Sequence, residues 1–71
     1  MAIYTTDDMK FGRNGFTSFR IEADISSPFS PLQRHIWNRA DGSAKTDAWI
    51  PGGRDTDETL RSRGYHPVVE A

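Results

Sequence analysis

The 71-residue chain has no cysteine, only two histidines and no long apolar run. Because cysteine is absent, neither a disulfide nor a thiolate metal site can stabilise the fold, and two histidines are too few for most zinc sites. No segment is apolar and long enough to span a bilayer, and residues 1–4 do not open a signal peptide. The absence of cysteine fits a reducing compartment, so we expect a cytoplasmic protein that does not enter a membrane.

The size of the chain limits the stability that it can reach alone. With 71 residues we expect one small domain over residues 1–71, with frayed first residues. A core of this size contributes only about 3–5 kcal/mol of net stability. The fold must therefore depend on packing, on turn and cap chemistry, or on a partner's surface, and a homo-oligomer would be an ordinary solution.

The charges of the chain are nearly balanced. Nine Lys and Arg residues stand against ten Asp and Glu residues, for a net charge of −1 at pH 7. This balance is typical neither of a basic nucleic-acid-binding protein nor of an acidic mimic of DNA. Seven of the nine cations are arginine, which suits bidentate and stacking contacts better than lysine does, although genome composition alone also produces such a bias.

One strand stands out through the alternation of its side chains. Within residues 17–25, apolar side chains occupy odd-numbered positions and polar side chains occupy even-numbered positions. The apolar residues are Phe19, Ile21, Ala23 and Ile25, and the polar residues are Ser18, Arg20, Glu22 and Asp24. Because side chains alternate between the two faces of a strand, this segment predicts a strand with one core face and one wet face. Asn14-Gly15 precedes it and predicts a type I′ hairpin turn, since both residue types tolerate positive φ.

Residues 30–50 fit two structures. In a helical interpretation, Ser30 is the N-cap and Pro31 is the first helical residue, as is common at helix starts. In the competing interpretation, Asp41-Gly42 is the two-residue turn of a hairpin. We favour the hairpin, because a strand over residues 46–50 needs a neighbour and a helix of about nine residues is marginal without strong packing.

The C-terminal part of the chain predicts a short helix followed by a strand. We expect Asp55 to be the N-cap, residues 56–63 to form the helix and Gly64 to be its C′ residue, following common capping patterns. Residues 65–69 then predict a last strand, and Pro67 indicates an edge position because proline cannot donate to a ladder.

These elements together predict an α+β fold. It consists of a small antiparallel sheet, with hairpins near Asn14-Gly15 and Asp41-Gly42, one short C-terminal helix over about residues 56–63, and a last edge strand. Runs of strands followed by a helix are typical of this class.

The candidate binding residues form an aromatic and basic cluster around the second predicted hairpin: Arg34, His35, Trp37, Arg39 and Trp49. In a hairpin His35, Trp37 and Arg39 share a face, and we expect Trp49 diagonally across from them. Trp and Arg are enriched at protein-binding hot spots, and the same face could stack bases while guanidinium groups hold phosphates. The alternative without a binding role is that the tryptophans only build the core.

No pattern in the chain indicates catalysis, a metal or a cofactor. His35 and His66 are the only candidate bases near neutral pH, and neither accompanies a nucleophile motif. The glycine-containing loop at residues 51–54 precedes a helix start, but the acidic residues that follow it would repel a phosphate. Helix capping explains those acidic residues better than a Mg²⁺ or Ca²⁺ site does. We therefore expect no enzyme, no cofactor and no metal.

By elimination, the sequence predicts a non-catalytic binding or regulatory module that docks onto another macromolecule, with a protein as the favoured partner. Its length suits an accessory protein of the kind that viruses and mobile elements encode. The main rival is a small nucleic-acid-binding protein, which would use Arg34, Trp37, Arg39, Arg61 and Arg63. A small enzyme or enzyme subunit is the least favoured alternative.

Overall fold

A computed structural model of the chain describes residues 3–26, 30–52 and 56–68. Along these residues the elements are β1 (Ile3–Thr5), β2 (Met9–Lys10), β3 (Phe16–Asp24), β4 (Leu32–Arg39), β5 (Ala44–Thr46), β6 (Ile50–Pro51), α1 (Asp57–Ser62) and β7 (His66–Pro67). The protein is thus mostly antiparallel sheet with one short helix, which is consistent with a small α+β or a mostly-β fold. No helix within the three described stretches is long and apolar enough to cross a membrane.

The sheet is built around the long antiparallel pair of β3 and β4. Its strand order is β5-β4-β3-β1-β7, with β2 also beside β3 and β6 also beside β4. β1 and β2 follow each other along one side of β3, and β5 and β6 do the same along β4. The last strand lies at an edge as predicted, but it covers only His66–Pro67, and Val69 lies outside the described residues.

The hairpin predicted at Asn14-Gly15 is confirmed. Asn14 has a φ of 55° and Gly15 a φ of 81°, the positive values that a type I′ turn requires at both central residues. The main-chain N–H of Phe16 donates to the carbonyl of Arg13 at 2.9 Å and closes the turn. This turn joins β2 to β3.

The second predicted hairpin is also present, and the helical interpretation of residues 31–40 is wrong because Leu32–Arg39 is strand β4. The loop between β4 and β5 differs in detail from the expected two-residue turn. Gly42 has a φ of 89° and its N–H donates to the carbonyl of Arg39 at 3.1 Å. This is the pattern of a three-residue loop, in which a type I turn is followed by a left-handed residue.

Thr17 is an extra residue in β3 that changes which side chains share a face. Phe16 lies opposite Arg39 and Ser18 lies opposite Asn38, so two steps along β3 match one step along β4. A bulge of this kind moves the side chains on its far side to the other face of the sheet. Phe16 therefore joins the face of Phe19, although its even number would place it among the polar side chains.

A second irregularity interrupts the strand predicted over residues 46–50. Asp47 N–H still donates to the carbonyl of His35 at 3.0 Å, but Ile50 then lies opposite Gln33. The three steps from Asp47 to Ile50 thus match the two steps from His35 to Gln33 in β4. The segment therefore contains one extra residue, and the regular strand is interrupted between β5 and β6. The extra residue reverses the alternation, so Trp49 turns to the face of the sheet opposite Asp47.

The short helix covers one end of the face that carries Phe19, Ile21 and Ala23, which we call the aromatic face; the other face, which carries Glu22, is the polar face. Leu60 of α1 is fully buried and packs in one cluster with Tyr4 and Ala23. The hydroxyl of Tyr4 donates to the carboxylate of Asp57, and Arg61 lies over the ring of Tyr4, 5.9 Å from its centroid. These contacts attach the helix to β1 and β3.

The ends of the helix show which capping predictions were right. Thr56 is the N-cap and its hydroxyl accepts from the N–H of Thr59 at 3.2 Å, so the assignment of the cap to Asp55 is wrong, and Asp55 itself lies outside the described residues. Gly64 is the C′ residue as predicted, with a φ of 89°. The N–H of Tyr65 donates to the carbonyl of Leu60 at 3.0 Å, which completes a Schellman motif.

Candidate functional site

Five aromatic rings lie together on the part of the aromatic face that α1 does not cover. We call this group the aromatic cluster; its members are Phe11, Phe16, Phe19, His35 and Trp37. Trp37 is its centre, because the centroids of the other four rings lie 5.0–5.6 Å from that of Trp37. All five side chains are half-buried, so their rings pack on one another and still keep an exposed side.

Contacts between neighbouring strands hold these rings in place. Phe19 and Trp37 are directly opposite each other in β3 and β4, and His35 stacks on Trp37 with an interplanar angle of 14°. Phe11 meets Trp37 edge-on at 62°, a favourable arrangement for aromatic pairs. The bulge at Thr17 adds Phe16, and the guanidinium of Arg39 lies 5.1 Å from the centroid of that ring.

A shallow cleft of about 220 Å³ opens beside the cluster. It is lined by Phe11, Asn14, Phe16, Trp37, Lys45 and Asp47. The indole N–H of Trp37 donates to Asp47 Oδ2 at 2.9 Å, and the ammonium of Lys45 lies 3.5 Å from Asp47 Oδ1. The cleft therefore has an aromatic wall and a polar rim on which one cation and one carboxylate neutralise each other.

The hydrogen bond to Trp37 makes Asp47 sensitive to acid. The indole donor, and after it the nearby Lys45, hold the pKa of Asp47 below its usual range. A carboxylate whose pKa is lower in the folded than in the unfolded chain stabilises the fold above its unfolded pKa of about 3.9, and that stability is lost as the pH falls through the folded pKa.

We therefore expect the free energy of unfolding of the wild type to fall more steeply between pH 5 and pH 2 than that of Asp47→Asn, whose amide oxygen still accepts from the indole of Trp37. Urea titrations followed by tryptophan fluorescence at several pH values measure the difference. Asp41→Asn is a positive control outside the cluster: because the pKa of Asp41 is also lowered, by Ser43, this variant should likewise have a flatter pH profile than the wild type. Parallel pH profiles for the wild type and Asp47→Asn would contradict the assignment.

The structure divides the five predicted binding residues between the two faces. His35, Trp37 and Arg39 share the aromatic face, as the hairpin requires. Arg34 and Trp49 lie together on the polar face, where the Arg34 guanidinium is 4.2 Å from the centroid of Trp49. The expected diagonal contact of Trp49 with the cluster is thus absent, because the extra residue between β5 and β6 reverses its direction.

Arg34 also belongs to an ion pair on the polar face. Its Nε donates to Glu22 Oε1 at 2.7 Å, and the two residues are directly opposite in β4 and β3. Glu22 is buried, with 8% of its surface exposed, so its carboxylate depends on this guanidinium for charge compensation. Arg34 therefore has a structural partner of its own.

The residues of the nucleic-acid rival do not converge on one surface. Trp37 and Arg39 lie on the aromatic face and Arg34 on the polar face. Arg61 belongs to α1, at the other end of the sheet, and its Nε lies 3.0 Å from Asp57 Oδ1. Arg63 is the C-cap residue of the same helix.

The two histidines lie in different surroundings. His35 stacks on Trp37 within the aromatic cluster, and its ring centroid lies 5.8 Å from that of Phe19 at an interplanar angle of 40°. His66 Nε2 lies 3.1 Å from Asp7 Oδ1 at the surface, where both side chains are more than half exposed. Within residues 3–26, 30–52 and 56–68, no three His, Asp or Glu side chains are grouped closely enough to hold a metal ion. The glycine-containing loop lies partly outside these residues.

Sequence reasoning missed several residues of the site: Phe11, Phe16, Phe19, Lys45 and Asp47. Phe19 was expected in the core face of its strand, but most of its neighbours in the cluster come from two other segments of the chain. The alternation of β3 predicts the wrong face for Phe16, because a bulge has no clear signature in one sequence. The density of aromatic residues around Asn14-Gly15 was the signal available.

No protein-family model matches the chain, and comparisons with curated proteins and with solved structures found no match either.

Proposed function

We propose that the protein is a non-catalytic binding module that docks onto a protein partner through the aromatic cluster. One observation supports this proposal above all: a contiguous group of half-buried rings lies on a sheet face that α1 covers only at its other end. A sheet face of this kind usually packs against a second layer. Aromatic and arginine side chains are also the residue types that dominate binding energy at protein interfaces.

The surroundings of the cluster indicate the chemistry of such a partner. Met9 lies opposite Phe19 and is 38% exposed, and Ile50 on the same face is 49% exposed. Arg39 lies over Phe16 at the edge of these apolar groups, and Lys45 at the cleft is paired with Asp47. The partner surface that fits is apolar at its centre and carries an acidic group opposite Arg39 at its rim.

Replacing Phe16 with serine is expected to reduce capture of the partner by roughly tenfold or more, because an aromatic residue of a hot spot contributes about 2 kcal/mol or more. Met9→Ser is expected to weaken capture less. The immobilised protein is incubated with nuclease-treated extract of the source cell at moderate and high salt, and bound proteins are quantified by mass spectrometry. An apolar interface should retain its partner at high salt.

Val68→Ser is the matched control for Met9→Ser. Val68 is 39% exposed, as Met9 nearly is, but it lies beside β1 at the other end of the sheet. Circular dichroism of each variant checks that the sheet is intact. If the same proteins are captured by the wild type and by Phe16→Ser in equal amounts, the aromatic cluster is not the docking surface.

A second candidate function, binding of single-stranded nucleic acid, is favoured by the charge distribution. Residues 8–20 and 34–47 contain six Lys and Arg and three Asp, a net charge of +3, whereas the other described residues contain two Arg and five Asp and Glu, a net charge of −3. Of these cations, Arg39 and Lys45 lie beside the aromatic cluster, whereas Arg20 and Arg34 lie on the polar face. Aromatic rings beside cations can stack bases.

Fluorescence anisotropy with short single-stranded oligonucleotides distinguishes the two functions. Binding through phosphates weakens steeply with salt, with a logarithmic slope of about 0.7 for each phosphate contact on a single strand. Salt-dependent binding that Trp37→Ala or Arg39→Ala reduces would favour nucleic acid over protein.

We further propose that the protein acts in the cytoplasm, in keeping with a chain that contains no cysteine.

A further inference from the structure

Strand β5 leaves one edge of the sheet open along the described residues. It is the terminal strand of the order β5-β4-β3-β1-β7, and all three of its residues are exposed. Exposed edge strands present unpaired main-chain groups that can pair with another strand. A strand that pairs here must match the main-chain groups and the charges of this edge.

The pairing of β5 with β4 determines which main-chain groups face outward. Two hydrogen bonds flank the strand: Arg39 N–H to Ser43 O at 2.9 Å, and Asp47 N–H to His35 O at 3.0 Å. Because hydrogen-bonded residues alternate along an antiparallel strand, the odd-numbered residues of this segment face β4. Ala44 and Thr46 consequently direct their N–H and C=O groups away from the sheet.

A second copy of the same strand can use these groups in three antiparallel registers. A two-fold axis at Ala44 places Lys45 opposite Ser43, and an axis at Lys45 places the two Lys45 side chains opposite each other. An axis at Thr46 places Lys45 of each copy opposite Asp47 of the other. All three registers join outward-facing residues, but only the last one pairs opposite charges, which stabilise a sheet, whereas like charges opposite each other destabilise it. Charge complementarity therefore selects the register centred on Thr46.

We propose that the protein forms a two-fold homodimer in which β5 pairs with β5 of a second copy, centred on Thr46, so that one sheet continues through both molecules. Thr46 then hydrogen-bonds its own counterpart through the main chain. The lysine at the centre of this edge does not repel the second copy, because each Lys45 lies opposite an Asp47.

The dimer would also complete the cleft beside the aromatic cluster. Lys45 and Asp47 line this cleft, and Lys45 already lies 3.5 Å from Asp47 within one copy. In the dimer, two lysines and two aspartates alternate around the axis, so each copy contributes a charged side chain to the rim of the other's cleft. The dimer forms through main-chain groups of the sheet edge that docking through the aromatic cluster does not use, so a protein that proves to be monomeric would not contradict the docking proposal.

The molecular mass in solution and variants with exchanged charges at Lys45 and Asp47 test the proposal. Light scattering after size-exclusion chromatography should give twice the chain mass of 8.0 kDa at high protein concentration. Lys45→Asp and Asp47→Lys should each raise the dimer dissociation constant by roughly tenfold or more, since two opposite-charge pairs become two like-charge pairs. A mixture of the two variants should restore the dimer, because every acidic side chain of one copy then faces a lysine of the other.

Cross-linking tests the register, because the chain has no cysteine of its own. Thr46→Cys should form a disulfide-linked dimer on mild oxidation, since opposite hydrogen-bonded residues have Cα atoms about 5.5 Å apart, within the range of a disulfide. Ala44→Cys is the control, because its two copies would lie roughly 13 Å apart along the strand. A wild type that remains monomeric at high concentration, or equal cross-linking of both variants, overturns the proposal.

Thr46→Pro provides a readout that does not depend on charge. A proline removes only the N–H that faces outward, and prolines are tolerated at such positions of edge strands. The variant should keep the circular dichroism of the wild type and migrate as a monomer. If Thr46→Pro remains a dimer, the copies associate through a different surface.

Discussion

Replacing Leu60 with alanine is expected to unfold most of the molecules at room temperature. Leu60 is the only described residue with no exposed surface, and it packs with Tyr4 and Ala23 between α1 and the sheet. Truncating a buried leucine to alanine costs about 2–5 kcal/mol, which is comparable to the whole net stability of about 3–5 kcal/mol expected for so small a core. Far-UV circular dichroism during urea and thermal unfolding measures the loss.

Leu60→Met is the matched control for this change. It keeps a side chain of similar volume, and such exchanges usually cost less than about 1.5 kcal/mol, so the variant should remain folded. Leu60→Ala that melted within a few degrees of the wild type would show that the helix contributes little to folding. The stability of the sheet would then come mainly from the aromatic cluster.

The second large effect is expected on the polar face. Arg34→Met leaves the buried carboxylate of Glu22 without its guanidinium partner and also removes the contact with Trp49. Breaking a buried ion pair costs about 3–5 kcal/mol; because the Arg34 side chain is 26% exposed, solvent reduces this and we expect about 2–3 kcal/mol. Urea denaturation at neutral pH measures the difference.

The double variant Arg34→Met with Glu22→Leu separates a lost charge partner from lost packing. Replacing both partners of a buried pair with apolar residues is often neutral or stabilising, so the double variant should recover most of the lost stability. Glu22→Gln alone should cost less than Arg34→Met, since the freed guanidinium can reach solvent. A double variant as unstable as Arg34→Met would indicate that Arg34 acts through its stacking on Trp49.

Local signals in the sequence predicted the elements that depend on local chemistry. Alternation identified β3, and Asn14-Gly15 identified the first turn through the positive φ that both residues adopt. Gly64 was recognised as the helix terminator, because the left-handed C′ position favours glycine. The N-cap was misplaced by one residue, since Asp55 and Thr56 are both good caps and only tertiary contacts choose between them.

Features that depend on pairing between distant strands were not predicted. β1 lies between β3 and β7 and contributes the buried Tyr4, yet frayed residues were expected here, because a strand of three residues is too short to show an alternating pattern. Its place in the sheet comes from neighbours that are distant in sequence.

The candidate site was predicted only where simple alternation holds. His35, Trp37 and Arg39 follow one another at spacing two within β4, so their common face could be derived. Phe16 and Trp49 lie beyond bulges, so each is found on the face opposite to the one that simple alternation of odd and even positions predicts.

The extra residue at Thr17 also affects how the protein can tolerate insertions and deletions. Removing Thr17 would bring β3 into regular register with β4 and keep Phe16 opposite Arg39, on the same face as Trp37. A deletion at this position would thus leave the composition of both sheet surfaces unchanged, as would a substitution at Thr17, which is exposed. The binding surface therefore depends on the register of Phe16 with Arg39, and the bulge is the way in which a strand with one additional residue keeps that register.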